Sequence, residues 1–268
     1  MQKHPDMNAI VGSHDLLWIV LDSLRYDVAC AALAAGETPH LAAVVGAWEK
    51  RHTPATFTWA AHHAFFSGFL PTPVGRPRAP RLFAARFGGA ETVDARTCVF
   101  DDPYVITALA GRGYHTLCVG GVGFFNPRTP IGRVFPALFA ESRWSAKMGP
   151  ESRRSAEHQF QAATACVRAA APAQPLLLFM NVAAIHRPNR HYLGGAGPDN
   201  LQSHRAALRN VDGRLPPLLA AFAGRPRPTF FIICSDHGTA YGEGGYTGHR
   251  LAHETVWTVP YAEGIIAR

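Results

Sequence analysis

Four short, continuous apolar runs predict the buried strands of this protein. They are LLWIVL (16–21), TLCVGG (116–121), PLLLFMNV (175–182) and TFFIICS (229–235). Because the apolar residues are consecutive and do not alternate with polar ones, both faces of each strand should be covered, as in a parallel sheet. A fifth run, VWTVPYAEGII (256–266), contains Pro260. This proline favours an edge strand or a bend, because it cannot donate a ladder hydrogen bond.

Segments with helical spacing lie between these runs, at about residues 58–69, 103–112, 155–170 and 201–222, the last of which is interrupted by Pro216 and Pro217. Strands that alternate with helices predict a three-layer α/β/α fold with a mostly parallel central sheet. The chain of 268 residues suits a single domain over residues 1–268. An insertion is expected at about residues 127–152, because part of that stretch has no clear period.

The composition narrows the classes of partner. The formal net charge is +7, but the arginines are dispersed and no basic run forms a stripe. We therefore expect a small anionic partner and no nucleic acid. The five cysteines form no CxxC pair, so neither a zinc knuckle nor a disulfide framework is indicated. No apolar segment resembles a signal peptide or reaches the length of a membrane span, which leads us to expect a cytoplasmic protein with no membrane partner.

Metal-type ligands follow three of the four runs, at the strand ends where open α/β sheets bind their ligands. Asp22 follows the first run, Asp236 and His237 follow the fourth, and His186 comes shortly after the third. Two carboxylates and an imidazole suit Zn²⁺ or Mn²⁺, and adjacent carboxylates repel one another unless a cation neutralises them. Taken alone, Asp22 also fits a helix cap, and SDHG (235–238) fits a turn. Their joint occurrence favours a metal site.

An ordered set of motifs resembles the alkaline phosphatase/sulfatase superfamily. The motifs are LDSLRYD (21–27), TPHLAAV (38–44), HTPATFTWAAHHAFFSGFLP (52–71), GYHTLCVG (113–120) and SDHG followed by GH (235–249). They occur in the superfamily's order and span almost the whole chain. Among known groups the chain is most similar to small bacterial sulfatase-like hydrolases. The resemblance implies the alkaline-phosphatase-like form of the fold.

This resemblance places the nucleophile on Thr58, ten positions before Gly68 and at the start of a helix. Free N–H groups and the helix dipole would favour a phosphoryl oxygen there, and a metal would lower the pKa of the hydroxyl. Thr53 and Thr56 are nearby alternatives, and any one of these threonines could also be an ordinary N-cap.

The resemblance implies the other site residues as well. One metal would be held by Asp22, Thr58, Asp236 and His237. His186 and His249 correspond to positions that bind either the substrate phosphate or a second metal. His62 stands in the place of the sulfatase arginine, where it would contact the transferred group.

Four further polar residues near these motifs have open roles. For His63 and His253, a core or surface histidine is the better explanation. Arg25 and Asp27 either form an ion pair behind the metal site or belong to a solvated helix face.

Three departures from the sulfatase pattern argue against sulfate esters. The nucleophile segment reads Thr-Trp-Ala-Ala-His where sulfatases have a cysteine or serine in a C/S-x-P-x-R context. Gly121 stands where sulfatases have a lysine, and Asp22 is followed by Ser23 where they have a second aspartate. The resemblance therefore implies phosphoryl transfer. The transferase branch that uses a threonine has membrane segments, so we do not expect its lipid substrates here.

The predicted function is a metal-dependent hydrolase of phosphate mono- or diesters, with a phosphothreonine intermediate and one or two Zn²⁺ or Mn²⁺ ions. Transfer to an acceptor other than water stays open. Alternatives within the superfamily are a sulfatase, a phosphonate hydrolase, a mutase, or a non-catalytic protein that binds an anion or a partner. A dinucleotide site at VGGVGFFN (119–126) is disfavoured, because the segment lacks the full GxGxxG spacing.

Overall fold

Each of the four apolar runs forms a strand of one central sheet. The strands of the described part of the chain, in chain order, are β1 (Asp15–Leu21), β2 (Glu49–His52), β3 (His115–Val119), β4 (Glu141–Arg143), β5 (Leu176–Val182), β6 (Thr229–Cys234), β7 (Ala240–Tyr241), β8 (Thr247–Gly248) and β9 (Thr258–Ile266). This computed structural model describes residues 6–67, 104–194 and 197–266. In that part of the chain the sheet has seven strands in the order β2-β9-β6-β1-β5-β3-β4, and β7 pairs with β8 in a separate ribbon.

The centre of the sheet is parallel. Strands β6, β1, β5, β3 and β4 are parallel neighbours in that order, whereas β9 runs antiparallel to both β6 and β2. In β1, Leu17 and Ile19 pack into one buried cluster, and Leu16 and Val20 pack into another on the opposite face. Both faces are covered, which is the physical reason for the uninterrupted apolar runs. The prediction of a mostly parallel sheet is confirmed.

The fifth apolar run forms β9, which lies inside the sheet. It pairs with β6 on one side and with the short strand β2 on the other, so the prediction of an edge strand is wrong. The carbonyl of Pro260 accepts a hydrogen bond from the N–H of Ser235 at 3.2 Å, just beyond the last residue of β6. In an antiparallel pair, the N–H and the C=O of one residue face the same neighbouring strand. Pro260 therefore faces β6, and its missing N–H falls where the pairing with β6 ends.

The helices are α1 (Met7–Ile10), α2 (Tyr26–Ala34), α3 (Pro39–Val45), α4 (Thr58–Ser67), α5 (Val105–Gly111), α6 (Ser155–Ala169), α7 (Leu201–Asp212), α8 (Leu215–Ala223) and α9 (Glu254–Trp257). The helical segment predicted at 201–222 is divided into α7 and α8. The break lies before Pro216 and Pro217, which occupy the first turn of α8. Prolines are tolerated there because the N–H groups of a first turn have no partner within the helix. The part of the predicted helix 58–69 beyond Ser67 lies outside the described residues.

Helices cover both faces of the sheet. On one face, α6 and α7 contribute residues such as Phe160 and Leu208 to the first buried cluster. On the other face, α4 and α5 contribute Trp59 and Ile106 to the second cluster, which is rich in aromatic rings. The three-layer α/β/α fold is confirmed.

Residues 127–152 extend one edge of the sheet. They contain β4, which pairs with β3, and Phe135, whose ring is fully buried 5.6 Å from the ring of Phe125. That this stretch is an insertion, and that the chain forms one domain, stay predictions.

Among the described residues, no single helix is long and apolar enough to cross a membrane. Helices α2 and α3, which are bent by 104° relative to each other, reach that length and composition only as a pair. Ala29, Ala32 and Leu41 of this pair lie fully buried in the first cluster of the core.

Candidate active site

Asp22, Asp236 and His237 meet at the carboxyl edge of the sheet. They lie together because β1 and β6 are adjacent and parallel, and each residue follows the end of its strand closely. All three are fully buried, and one potential ligand atom from each lies within 4.8 Å of the others. His237 Nε2 is 3.5 Å from Asp236 Oδ2 and 3.9 Å from Asp22 Oδ1. The convergence predicted from the strand ends is present.

Ser23 links the two carboxylates. Its backbone N–H donates to Asp236 Oδ1 at 3.2 Å, and its hydroxyl donates to Asp22 Oδ1 at 3.0 Å. The backbone of Ser23 has a φ of 66°, which is uncommon for a residue other than glycine. Such strain is tolerated where the surrounding contacts fix the conformation, as they do here.

The orientation of His237 leaves one nitrogen for a ligand. Its Nδ1 lies 2.8 Å from the carbonyl oxygen of Gly238 and therefore carries the proton that it donates there, so Nε2 has the free lone pair. Gly238 is required at this point, since a Cβ would lie 1.9 Å from the carbonyl oxygen of Thr255. Burial lowers the pKa of His237 to about 4, which keeps the ring neutral at physiological pH.

The electrostatics of the two carboxylates fit a cation. Burial and the negative charge of Asp22 raise the pKa of Asp236 well above its ordinary value. Asp236 Oδ2 is buried and has no hydrogen-bond partner among the described residues. A divalent ion would neutralise the pair, and two carboxylates with one neutral imidazole form a donor set that Zn²⁺ and Mn²⁺ accept.

Thr58 is the threonine whose hydroxyl reaches this cluster. It is the first residue of α4, and its Oγ1 lies 3.2 Å from His237 Nε2 and 3.4 Å from Asp22 Oδ2. Thr53, one of the two alternatives, instead donates its hydroxyl to the backbone carbonyl of Asp236 at 2.5 Å. The carbonyl of Thr56, the other alternative, accepts the backbone N–H of Arg250 at 2.8 Å.

His186 and His249 lie beside the cluster and line a cleft of about 530 Å³. The ring of His249 stacks on that of His237, with centroids 4.5 Å apart, and the ring of His186 lies 5.5 Å from that of His249. Burial and the neighbouring rings of His237 and His186 lower the pKa of His249 far below its ordinary value. Both residues are placed where a bound group could contact them.

His62 has a different position from the one expected. It is fully buried, its ring lies 5.3 Å from that of Phe125, and its Nδ1 donates to the carbonyl of Thr58 at 2.8 Å. The same nitrogen is 3.7 Å from Asp236 Oδ2, and burial lowers the pKa of His62 to about 4. The structure therefore places His62 behind Thr58 and Asp236 and among phenylalanine rings, outside the cleft where a transferred group would be bound.

Two other histidines have structural positions. His63 is buried in the aromatic cluster, with its ring 4.6 Å from that of Trp59. His253 is the N-cap of α9, where Nδ1 accepts the N–H of Thr255 at 3.2 Å. The position of His63 agrees with a core histidine, and that of His253 agrees with a surface histidine.

Asn181, near the end of β5, is a site residue that sequence reasoning missed. Its side-chain amide donates to Asp22 Oδ2 at 2.9 Å, and its Oδ1 accepts the N–H of Val122 at 3.1 Å. The available signal was a single amide within the apolar run PLLLFMNV, since a fully buried asparagine must have partners.

Arg25 forms the expected ion pair with Asp27, and it makes a second one that the sequence did not suggest. Nη2 of Arg25 lies 2.6 Å from Asp27 Oδ2, and Nη1 pairs with Glu243. The guanidinium is almost fully buried, so a solvated helix face is ruled out for Arg25. Through Glu243 it anchors the loop between β7 and β8, which leads into His249.

A comparison with families of known proteins decides the family. The model of the sulfatase family matches residues 14–266. The chain belongs to the sulfatase family. This family member has an alkaline-phosphatase-like fold, as a comparison with solved structures shows. Comparison with curated proteins found no match.

Three solved structures illustrate the similarity. The C-terminal periplasmic domain of EcEptC from Escherichia coli, in complex with Zn, has 14% identity over 94% of this chain and 72% of its own, with a TM-score of 0.62. The corresponding domain of the phosphoethanolamine transferase EptC from Campylobacter jejuni has 11% identity, 94% and 80% coverage and a TM-score of 0.63. A protein of the alkaline phosphatase superfamily from Vibrio parahaemolyticus has 14% identity, 94% and 60% coverage and a TM-score of 0.58. At these identities the similarity shows the fold.

Proposed function

We propose that this sulfatase-family protein is a metal-dependent phosphate ester hydrolase with Thr58 as its nucleophile. The observation that supports this most directly is the position of the Thr58 hydroxyl, within 3.4 Å of both Asp22 and His237 at the first residue of a ten-residue helix. The N-terminus of a helix stabilises phosphoryl oxygens through its free N–H groups and dipole.

Asp22, Asp236, His237 and Thr58 would hold a Zn²⁺ or Mn²⁺ ion. When bound, the ion would lower the pKa of the Thr58 hydroxyl and withdraw charge from the phosphoryl group. Ser23 and the backbone of Gly238 keep the ligands in place through the hydrogen bonds described above.

In the first step, Thr58 Oγ1 would attack phosphorus, a new O–P bond would form, and the P–O bond to the leaving alcohol would break. The hydroxyl proton would pass from Oγ1 to water, and the departing alkoxide would take up a proton from water. His186 and His249 line the cleft and would contact the phosphoryl oxygens or hold a second ion. In the second step, water would hydrolyse the phosphothreonine and restore the hydroxyl. An acceptor alcohol in place of water would make the protein a transferase.

A detail at Gly121 favours phosphate over sulfate esters. A Cβ at this position would lie 2.6 Å from both the Cβ of Ala183 and the carbonyl oxygen of Asn181. The lysine that sulfatases have in this motif therefore has no room. With a threonine as nucleophile, the segment also lacks the residue from which sulfatases make formylglycine.

The test is turnover by the purified chain, first treated with a chelator and then supplied with Zn²⁺ or Mn²⁺. The panel contains phosphate monoesters, phosphate diesters, sulfate esters and phosphonate esters. We expect metal-dependent release of alcohol from a phosphate ester, and a trapped phosphoryl group on the peptide that contains Thr58. Thr58→Ala should reduce turnover at least about a thousandfold while metal binding persists. Thr56→Ala serves as the matched control.

Three results would change the proposal. Turnover that survives in Thr58→Ala but is lost in Thr56→Ala would move the nucleophile. Faster release from sulfate esters would support the alternative of a sulfatase. No metal-dependent turnover of any ester would support a non-catalytic anion-binding protein.

A further inference from the structure

The cleft beside the metal-ligand cluster is also lined by arginines. His186 and His249 lie on its wall. In the part of the chain that the structure describes, its charged lining consists of Arg187, Arg190, Arg250, Glu151 and Asp199. We refer to Arg187, Arg190 and Arg250 as the arginine rim. They come from two separate loops, one after β5 and one after β8, and they meet only in the folded protein.

One of the two carboxylates in this cleft is already saturated. Asp199 accepts the backbone N–H groups of Asn189 and Arg190, each at 2.7 Å, and Arg187 Nε at 3.3 Å. Its side chain is only 4% exposed. Burial by itself would raise the pKa of Asp199, but these hydrogen bonds lower it. Asp199 thus holds the loop in shape and offers little negative charge to the cleft, while Glu151 is exposed to solvent.

Two arginines of the rim, Arg187 and Arg190, retain donors. The ion pair of Arg187 uses Nε, and in the described residues its Nη groups donate no hydrogen bond. Arg187 Nη1 lies 3.6 Å from where a Cβ on Gly248 would be, which places it beside the residue that precedes His249. The guanidinium of Arg190 is likewise without a hydrogen bond or ion pair among the described residues, and it is exposed.

Arg250 completes the rim from the other loop. It directly follows His249, and its guanidinium lies over the ring of Phe57, 5.1 Å from the centroid. This aromatic contact holds the cation at the cleft. Among the described lining residues, three guanidinium groups therefore stand against two carboxylates. Arg187 and Asp199 form an ion pair, which leaves Arg190 and Arg250 against the exposed Glu151. A cleft with an excess of one charge attracts ligands of the opposite charge and repels those of like charge.

We propose that the substrate carries a second anionic group, a carboxylate or a phosphate, which the arginine rim binds while the reacting phosphoryl group lies at Thr58. This inference rests on the proposed function for its reaction, but its binding part can be measured separately. It also predicts that an ammonium group in the leaving alcohol, such as that of ethanolamine, is disfavoured by like charge. Guanidinium groups suit a carboxylate and a phosphate because two of their N–H groups can donate to two oxygens of the same anion.

The experiment uses three phosphonates that differ only in one remote group. They are benzylphosphonates with a para carboxymethyl, methyl or aminomethyl substituent, titrated calorimetrically into the full chain loaded with Mn²⁺. The aryl phosphates with the same three para substituents are assayed for turnover. The methylene of the carboxymethyl or aminomethyl group separates its charge from the ring and from the reacting P–O bond. The variants are Arg187→Gln and Arg190→Gln. Arg227→Gln is the matched control, because Arg227 lies before β6, at the opposite end of that strand from Asp236.

We expect the carboxymethyl ligand to bind about tenfold more tightly than the methyl ligand, and the aminomethyl ligand to bind least tightly. Arg187→Gln and Arg190→Gln should each reduce this preference about threefold, while Arg227→Gln leaves it unchanged. The preference should weaken with added salt. Arg190→Gln protects the test against misfolding, since its side chain supports no described contact.

Equal binding of the three ligands, tightest binding of the ammonium ligand, no binding of any of them, or a preference unchanged in both rim variants would each overturn the inference. These outcomes are independent of the reaction. A carboxylate preference in binding with no turnover of any ester would refute the proposed function and leave the arginine rim supported. Turnover of a phosphate ester without a carboxylate preference in binding would support the proposed function and refute the role of the arginine rim.

Discussion

Asn181 offers a specific test of how the protein positions its metal ligands. Asn181→Ala removes the hydrogen bond to Asp22 Oδ2 and leaves the buried N–H of Val122 without its acceptor. A hydrogen bond to a charged group contributes about 1.5–3 kcal/mol, and an unsatisfied buried donor costs about 1–3 kcal/mol. The free energy of unfolding should therefore fall by about 2.5–6 kcal/mol. Metal affinity should fall about ten- to a hundredfold, because the partners of ligands orient them.

Two measurements check this prediction. Urea unfolding in the presence of a chelator gives the change in stability, and calorimetric titration with Mn²⁺ gives the change in affinity. Asn210→Ala is the control, since Asn210 lies half-buried on α7 and its side chain makes no hydrogen bond among the described residues. An Asn181→Ala variant with the metal affinity of the wild type would refute the reasoning that Asn181 orients Asp22. An equal loss of stability in Asn210→Ala would refute the energetic part.

Two further predictions concern buried charges. The pKa of Asp236 is raised in the folded, metal-free protein above its ordinary 3.8, so the stability that it contributes is full below that pH and is lost as the pH rises through the raised value. Asp236→Asn should consequently gain stability over the wild type with rising pH in chelator, and Mn²⁺ should reverse the order; a difference constant with pH would contradict this. Arg225→Met should lower the free energy of unfolding by about 3–5 kcal/mol, because it leaves Asp15, paired at 2.6 Å, buried without its partner. Arg227 is half-buried, and Arg227→Met should change the free energy of unfolding by less than about 0.5 kcal/mol. Equal losses for the two variants in urea titrations would refute the importance of the pair between Arg225 and Asp15.

The strands of the parallel core could be predicted because their signal is local. A strand that is covered on both faces needs consecutive apolar residues, and each of the four runs shows this directly. The place of β9 could not be predicted from Pro260, since β2 covers the outer side of β9 only after the chain folds back on itself. The division between α7 and α8 also lies before the prolines, because the first turn of a helix accepts them.

The same distinction holds in the candidate site. Asp22 and Asp236 could be predicted to converge because each lies just after the end of a strand, and parallel strands end at one edge. Asn181 could not be predicted as a site residue, because the sequence does not show which groups a buried amide within an apolar run will contact. The position of His62 also depended on the fold, since the direction of a helix face relative to the cleft is set by how α4 packs on the sheet.

The sequence by itself determined the layers of the fold, the order of the family motifs and the strand ends that carry the metal-type ligands. All of these depend on residues close together in the chain. Only the tertiary structure decided that the Thr58 hydroxyl lies 3.2 Å from His237, that Asn181 holds Asp22, and that Arg187 and Arg250 share one cleft. The physical reason is that these contacts join distant segments, and their distances follow from the packing of whole helices and loops on the sheet.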